Sequence, residues 1–249
     1  QSWAGRGVGS SRAEMWELWL ELSMLFLSLA LLGLYHVWVG LHYIGKSAGA
    51  VIVTNINSRR EWADHTMDLA TVLPVQTLRN FLMVCSFLAS GIMVVAIWGI
   101  QSLLSSETLS VPTVDFTDSV NSETVIKVKL LALILLLFYS FFSFAQSMRY
   151  GIHIAFLLNL GKLDSFVSRN DLRDTAGSFV TNMTLFFWLG MRGFYLMFPV
   201  FMYIMGPSWL LISTLLLVAI LMRSDFVPAT AAFSLPGWKK VRKADSAAV

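Results

Sequence analysis

The chain has 249 residues, of which 56% are hydrophobic and only 13% carry a charge, with a formal net charge of +3. Soluble domains usually contain about 25% charged and about 45–50% apolar residues, so this composition excludes an ordinary water-soluble domain and indicates a protein embedded in lipid. The single cysteine, Cys85, excludes an intrachain disulfide and a thiol-rich metal site.

Five apolar stretches reach or approach the length of about 20 residues that a membrane-spanning helix requires. In chain order they are Leu18–Tyr43, Asn80–Leu104, Leu130–Leu160, Phe179–Met205 and Ser208–Met222. A Gly206-Pro207 break separates the last two, and one helix over both would be about 66 Å long, against a hydrocarbon layer of about 30 Å. The sequence therefore predicts an all-α membrane bundle of about five transmembrane helices, the last two forming a hairpin, with four spans as the alternative.

The charges between the spans predict an orientation. Basic residues occur in residues 45–75, in residues 161–178 and after the last span, whereas residues 105–124 carry four acids and no base. With five spans the basic segments share one side of the membrane, in agreement with the positive-inside rule, whereas four spans would place the tail beside the acids. We therefore expect the N-terminus on the acidic-loop side and the C-terminus on the positive side.

Between the first two spans, Arg59–Val75 mixes apolar and acidic residues at helical spacing, which predicts an amphipathic helix at the membrane interface. Residues 54–58 offer side chains that suit the cap of this helix. We divide the chain into an N-terminal extension over residues 1–16, a transmembrane domain over residues 17–223 and a basic tail over residues 224–249. We expect the tail to be extended or disordered, or to lie as a strap along a partner.

Three arginines lie within the spans or at their ends, where charges are costly and are usually buried against protein or water. They are Arg79 at the start of the second span, Arg149 in the third and Arg192 near the middle of the fourth. Because no acid lies in the middle of the spans, these arginines predict a site for an anion or an anionic lipid headgroup. Alternatively, each one bonds to backbone carbonyls, to Asp64 or Asp68, or to headgroups at the membrane surface.

Two of these arginines each follow a glutamine at the same spacing. Gln76 precedes Arg79 by three residues, as Gln146 precedes Arg149, and both glutamines belong to the predicted anion site. Gln146, Arg149 and His153 follow three- and four-residue spacing and so share one helical stripe, which we expect to face the bundle.

Two histidines are candidate pigment or haem ligands. His36 and His153 lie at similar depths, about 10–12 Å from one end of their helices. Such a pair could ligate a haem, or each histidine could bind the magnesium of one chlorophyll. The structural alternative is a histidine hydrogen-bonded across helices. We expect bound lipid, with chlorophyll, carotenoid or haem as the other cofactors to consider.

Motifs of catalysis are missing from the sequence. It contains no glycine-rich phosphate loop, no metalloprotease helix motif and no nucleophile elbow. We therefore expect a protein without enzymatic activity and without a metal centre. The lack of acids in the middle of the spans also argues against a proton-coupled transporter.

Several short motifs together resemble one known family. They are Tyr35-His36, Asn55–Trp62, Gln76–Asn80, Gln146–Tyr150 with His153, Leu189–Tyr195 with Phe198-Pro199, and Gly206-Pro207. From about Leu29 to Met222 the chain resembles the multi-pass membrane family catalogued as domain of unknown function 599 (DUF599). The resemblance implies a multi-pass helical fold and a polar site common to the family, without an assigned activity.

Three functions fit these features. The first is a non-catalytic accessory subunit of a larger photosynthetic or respiratory membrane complex, with other membrane subunits and lipids as partners and no nucleic acid. The second is a small anion channel or transporter that uses the intramembrane arginines. The third is a haem-binding redox protein that uses His36 and His153. The first residues are rich in Gly and Ser and carry no acid before Glu14, so we expect a thylakoid or mitochondrial inner membrane.

Overall fold

A computed structural model describes residues 7–45, 50–67, 73–105, 123–160 and 168–226. These ranges fold into six α-helices and contain no strand. The helices are α1 Gly7–Ile44, α2 Val51–Met67, α3 Leu73–Leu104, α4 Glu123–Leu160, α5 Arg169–Met205 and α6 Pro207–Asp225. All except α2 are long and apolar enough to cross a membrane. The predicted all-α membrane bundle with five spans is confirmed, whereas most of the acidic loop and of the basic tail lies outside the described residues.

The predicted hairpin between the last two spans is also confirmed. Gly206 ends α5 with φ at 149°, a backbone conformation that favours glycine because it carries no Cβ. Pro207 then starts α6, where its missing N–H costs no helical hydrogen bond. The chain therefore reverses direction within one residue.

The bounds predicted for the amphipathic helix are wrong. Helix α2 begins at Val51, so residues 54–58 lie inside it rather than capping its start. The Ser58 hydroxyl donates to the carbonyl oxygen of Thr54 at 2.8 Å, a bond to the preceding turn that lets a small polar residue stay within a helix. The helix packs along α5. Its predicted end also differs, because Leu73–Val75 belong to α3 and residues 68–72 lie outside the described ranges.

The spans α3, α4, α5 and α6 pack side by side as antiparallel neighbours in chain order, and α1 packs on α6. Helices α1 and α6 run parallel, since Met24 meets Ser208 and Tyr35 meets Asp225. Gly99 lies against Ile134, and Gly151 lies against Leu82, which sets the register of α3 on α4. We call the end of the bundle that carries α2 the α2 end, and the opposite end, where α5 turns into α6, the Gly206 end.

The contact between α4 and α5 depends on small residues. A Cβ at Gly193 would overlap the Ser140 hydroxyl, and a Cβ at Gly190 would come within 3.0 Å of the Phe144 ring. Nearer the α2 end, the hydroxyl of Ser147 donates to the carbonyl oxygen of Met183 at 2.8 Å. These contacts bring the two helices close together and fix the height of each polar side chain along the bundle.

Candidate functional site

Arg192 is buried near the middle of α5, and an acid of the same chain neutralises it. Its Nη2 donates to Oδ2 of Asp225 in the last turn of α6, and its Nη1 donates to the Tyr35 hydroxyl of α1 at 3.1 Å. The Tyr35 hydroxyl donates to the same oxygen of Asp225. The Trp188 ring lies 4.7 Å from the guanidinium carbon. Asp225 therefore takes the place at Arg192 that we predicted for an anion.

A second buried ion pair lies towards the Gly206 end. Lys129 of α4 and Glu21 of α1 pair at 3.0 Å, and their side chains are only 7% and 12% exposed. The Lys129 ammonium lies 4.1 Å from the centre of the Tyr203 ring, and the Tyr203 hydroxyl donates to Glu21 at 3.2 Å. Acids at the ends of two spans thus neutralise buried basic residues. These pairings were not predicted from the sequence, because acids near the ends of spans are expected to be exposed to solvent.

The structure does not bring the three predicted arginines together. Ser147 contacts Met183, nine residues before Arg192, and Arg149 lies two residues further towards the α2 end, so Arg149 and Arg192 are about 16 Å apart along the bundle. Arg79 and Gln76 are exposed at the start of α3. Among the described residues, no hydrogen bond, ion pair or ring contact joins Arg79 or Arg149 to Arg192.

The expectation that Gln146, Arg149 and His153 face the bundle is wrong. Arg149 and His153 are exposed, and Gln146 is only half-buried. The bundle side of α4 is formed by Ser147 and Ile154, each completely buried and each one position further along the chain than a residue of the stripe. Because α4 is apolar on most of its circumference, the polar stripe is the side that packing leaves outside.

The two candidate ligand histidines differ in their surroundings. In His36, Nδ1 lies 2.7 Å from the carbonyl oxygen of Leu32, which indicates a proton on Nδ1 and a lone pair on Nε2. That Nε2 is buried and has no hydrogen-bond partner among the residues described. A haem iron or chlorophyll magnesium would have to displace the protein atoms that cover Nε2. The exposed His153 ring lies 5.6 Å from that of Phe179.

Arg59 on α2 is a further arginine near the α2 end, and it points into the bundle. Its guanidinium carbon lies 5.2 Å from the centre of the Phe81 ring of α3 and 5.8 Å from that of the Phe187 ring of α5. Its Nη1 donates to the Thr184 hydroxyl over a long 3.4 Å. Within the described ranges no carboxylate pairs with Arg59.

The electrostatics of Arg59 leave it suited to an anion. A guanidinium has five N–H donors, and among the described residues Arg59 uses one of them, to Thr184. Burial lowers the pKa of Arg59, because removal from water disfavours the charged form, yet arginine titrates far above neutral pH and stays cationic. The two rings attract the cation without neutralising it. The result is a positive charge inside the bundle with unused hydrogen-bond donors.

Arg59 stands at the start of the predicted interfacial helix, so its inward direction was not predicted from the sequence. A signal was nevertheless available in the helical spacing. Ile52, Ile56 and Ala63 are buried residues of α2, and Arg59 stands on the same stripe, three residues after Ile56 and four before Ala63. Because Arg59 shares the helical stripe of these buried residues, its side chain points inward as theirs do.

The comparisons with known proteins give a family and no activity. Residues 23–230 match the model of the family described as "Protein of unknown function, DUF599", a region that contains every motif on which the resemblance depends. No curated protein and no solved structure matches the chain.

Proposed function

We propose that this chain, which belongs to the DUF599 family, is a small anion channel or transporter with Arg59 as its anion-binding residue. The observation that carries the proposal is a half-buried guanidinium that faces two adjacent aromatic rings and has no carboxylate partner in the described part of the chain. The two other buried basic residues, Arg192 and Lys129, both have acids of the chain beside them. Arg59 differs from them in having no acid beside it within the described ranges, so its remaining donors could bind an external anion.

The position of Arg59 supports transfer of an anion rather than structural support alone. Charged side chains within a membrane bundle usually line an ion pathway or pair with each other. Arg59 extends from α2, which is not itself a span, onto ring faces of the spans α3 and α5. An anion that approaches from the α2 end would meet this guanidinium where the hydrocarbon layer begins, and would gain charge-assisted hydrogen bonds there.

The test is anion influx into vesicles that contain the purified protein and a halide-quenched dye. We expect influx above that of protein-free vesicles, lower by at least about tenfold for Arg59→Gln and partly retained for Arg59→Lys, which keeps the charge but loses the planar donor fork. Arg149→Gln, which removes an exposed arginine, is the matched control and should leave influx unchanged. Equal influx through the wild type and Arg59→Gln would overturn the proposal.

One observation favours a second function, that of an accessory subunit in a larger membrane complex. Helix α1 is 38 residues long, about 57 Å, and so extends well beyond a hydrocarbon layer of about 30 Å. Towards its start, Met15, Trp16 and Trp19 are 57%, 72% and 66% exposed. A neighbouring subunit would cover these side chains. The native mass in mild detergent tests this: a particle with other polypeptides supports it, and one to four copies of this chain contradict it.

We also infer the orientation and the membrane. The α2 end carries Arg59, Arg60 and Arg79, while the acidic residues 105–124 connect spans at the Gly206 end. The positive-inside rule then supports placing the C-terminus on the side of the α2 end and the N-terminus opposite. A thylakoid or mitochondrial inner membrane is our proposal for the location, and fractionation of organelles with an antibody to the chain would test it.

A further inference from the structure

A polar cavity of about 710 Å³ lies between α2 and the start of α5, at the α2 end. Its wall from α2 includes Arg60, Glu61 and Asp64, and its wall from α5 includes Arg173 and Asp174. Arg173 and Asp64 pair at 3.0 Å and so connect the two walls across the cavity. The volume falls within the range of about 300–1,000 Å³ that is typical of small-molecule sites.

Three charges of this cavity have no ion-pair partner among the residues that the structure describes. They are the guanidinium of Arg60 and the carboxylates of Glu61 and Asp174. Gly177 forms part of the wall beside Arg60, where a Cβ would meet Nε at 3.3 Å and Nη2 at 3.4 Å. The missing side chain thus lets the guanidinium lie against the α5 backbone. One cation and two anions consequently face the same cavity without an ion-pair partner in the described part of the chain.

The height of the cavity favours a ligand from water. Counted back from Gly206, a hydrocarbon layer of about 30 Å takes up about 20 residues of α5 and ends near residue 185. Arg173 and Gly177 lie about 18 and 12 Å beyond that point, past the depth of the headgroups. The cavity therefore opens to the solution rather than to the lipid.

We propose that this cavity binds a small water-soluble zwitterion, a molecule with an ammonium group and a carboxylate or phosphate group a few bonds apart. Arg60 binds the anionic group through paired N–H donors, and Glu61 and Asp174 bind the ammonium group. A simple anion would meet two unpaired carboxylates, and a simple cation would meet Arg60, so the cavity selects a ligand that carries both charges. This site does not depend on the anion site at Arg59.

The test is the thermal stability of the full chain in detergent micelles with millimolar phosphoethanolamine or glycine. We expect an upward shift of several degrees in Tm with either zwitterion, because a ligand that binds only the folded state stabilises it. Inorganic phosphate alone and ethylamine alone should give little shift. An equal shift with inorganic phosphate, or no shift with any zwitterion, would overturn the proposal.

Variants locate the binding within the cavity. Arg60→Gln and Asp174→Asn should each weaken binding by at least about tenfold, as expected for loss of a charge-assisted hydrogen bond. Gly177→Leu keeps every charge but fills the wall beside Arg60, and should also abolish the shift. Arg79→Gln, at an exposed position that does not line the cavity, is the control and should bind normally. Stabilisation that survives Arg60→Gln, or that occurs only in nanodiscs containing phosphatidylethanolamine, would contradict a water-soluble ligand at this site.

Discussion

Asp225 accepts a hydrogen bond from Arg192 and pairs its charge with the guanidinium, although the two residues lie on different spans. Their side chains are 16% and 5% exposed, so little water screens the pair. In such surroundings a pair stabilises the fold less than its Coulomb energy suggests, but an unpaired member is costly. The pair therefore fixes the end of α6 against the middle of α5.

Asp225→Asn should destabilise the bundle because it leaves the Arg192 charge buried without a counter-charge. We expect a loss of about 3–5 kcal/mol in the free energy of unfolding, the range found when one partner of a buried pair is removed. Unfolding in mixed detergent micelles, followed by circular dichroism, measures this loss. The double variant Arg192→Met with Asp225→Leu should recover much of it, and a double variant as unstable as Asp225→Asn would show that the cause is not the stranded charge.

Gly193→Ala should weaken the contact between α4 and α5. The added methyl group would overlap the Ser140 hydroxyl and come within 2.9 Å of the Tyr139 ring. Overpacking of this kind costs about 1–3 kcal/mol. The same unfolding measurement applies.

Two further variants separate crowding from helix propensity. Gly33→Ala has no atom within 4 Å of the new Cβ and should be neutral or slightly stabilising. Ser140→Ala in the Gly193→Ala background removes the overlapping hydroxyl and should restore part of the loss. Equal effects at Gly33 and Gly193 would contradict the close approach.

The spans could be predicted from the sequence because their length and hydropathy suffice to identify them. The Gly206-Pro207 hairpin could also be predicted, since glycine and proline have distinct backbone preferences. The start of α2 could not, because residues 54–58 serve equally well as a cap or within a helix.

The candidate site was less predictable, because it depends on which side of each helix meets a neighbour. Helix α4 is apolar almost all round, so its periodicity does not show that Arg149 points outward. The pairing of Arg192 with Asp225 joins residues whose proximity follows only from the packing of α5 on α6. The inward direction of Arg59 was accessible from its stripe on α2, but only with the correct start of that helix.

Five spans place Ser168 and Ser224 on one side of the membrane and Ser105 on the other. These positions precede α5, end α6 and follow α3, and all three are exposed. In a Cys85→Ala background, which removes the single cysteine, each serine is changed to cysteine and treated with an impermeant maleimide in sealed vesicles. Ser168→Cys and Ser224→Cys should be labelled from the same side. Labelling of these two from opposite sides would support four spans instead.

The aromatic pair around Arg59 provides a graded test of the anion site. Phe81 and Phe187 have ring centres 5.1 Å apart, and both rings face the guanidinium. Phe187→Leu keeps an apolar side chain of similar bulk but removes one cation–π contact, which is worth about 0.5–1 kcal/mol when exposed and more when desolvated. The guanidinium would then be held less firmly, and the anion concentration for half-maximal influx should rise about two- to fivefold.

The matched control for Phe187→Leu is Phe142→Leu, at a ring that is 60% exposed on the outer face of α4. It should leave the concentration dependence of influx unchanged, because that ring does not touch Arg59. Phe187→Leu in the Arg59→Gln background should have no further effect on the half-maximal concentration, since the contact is already lost. If the half-maximal concentration rose by the same factor in that background, Phe187 would act through the packing of α5 and not through Arg59. That result would contradict the hypothesis that the two rings orient the guanidinium.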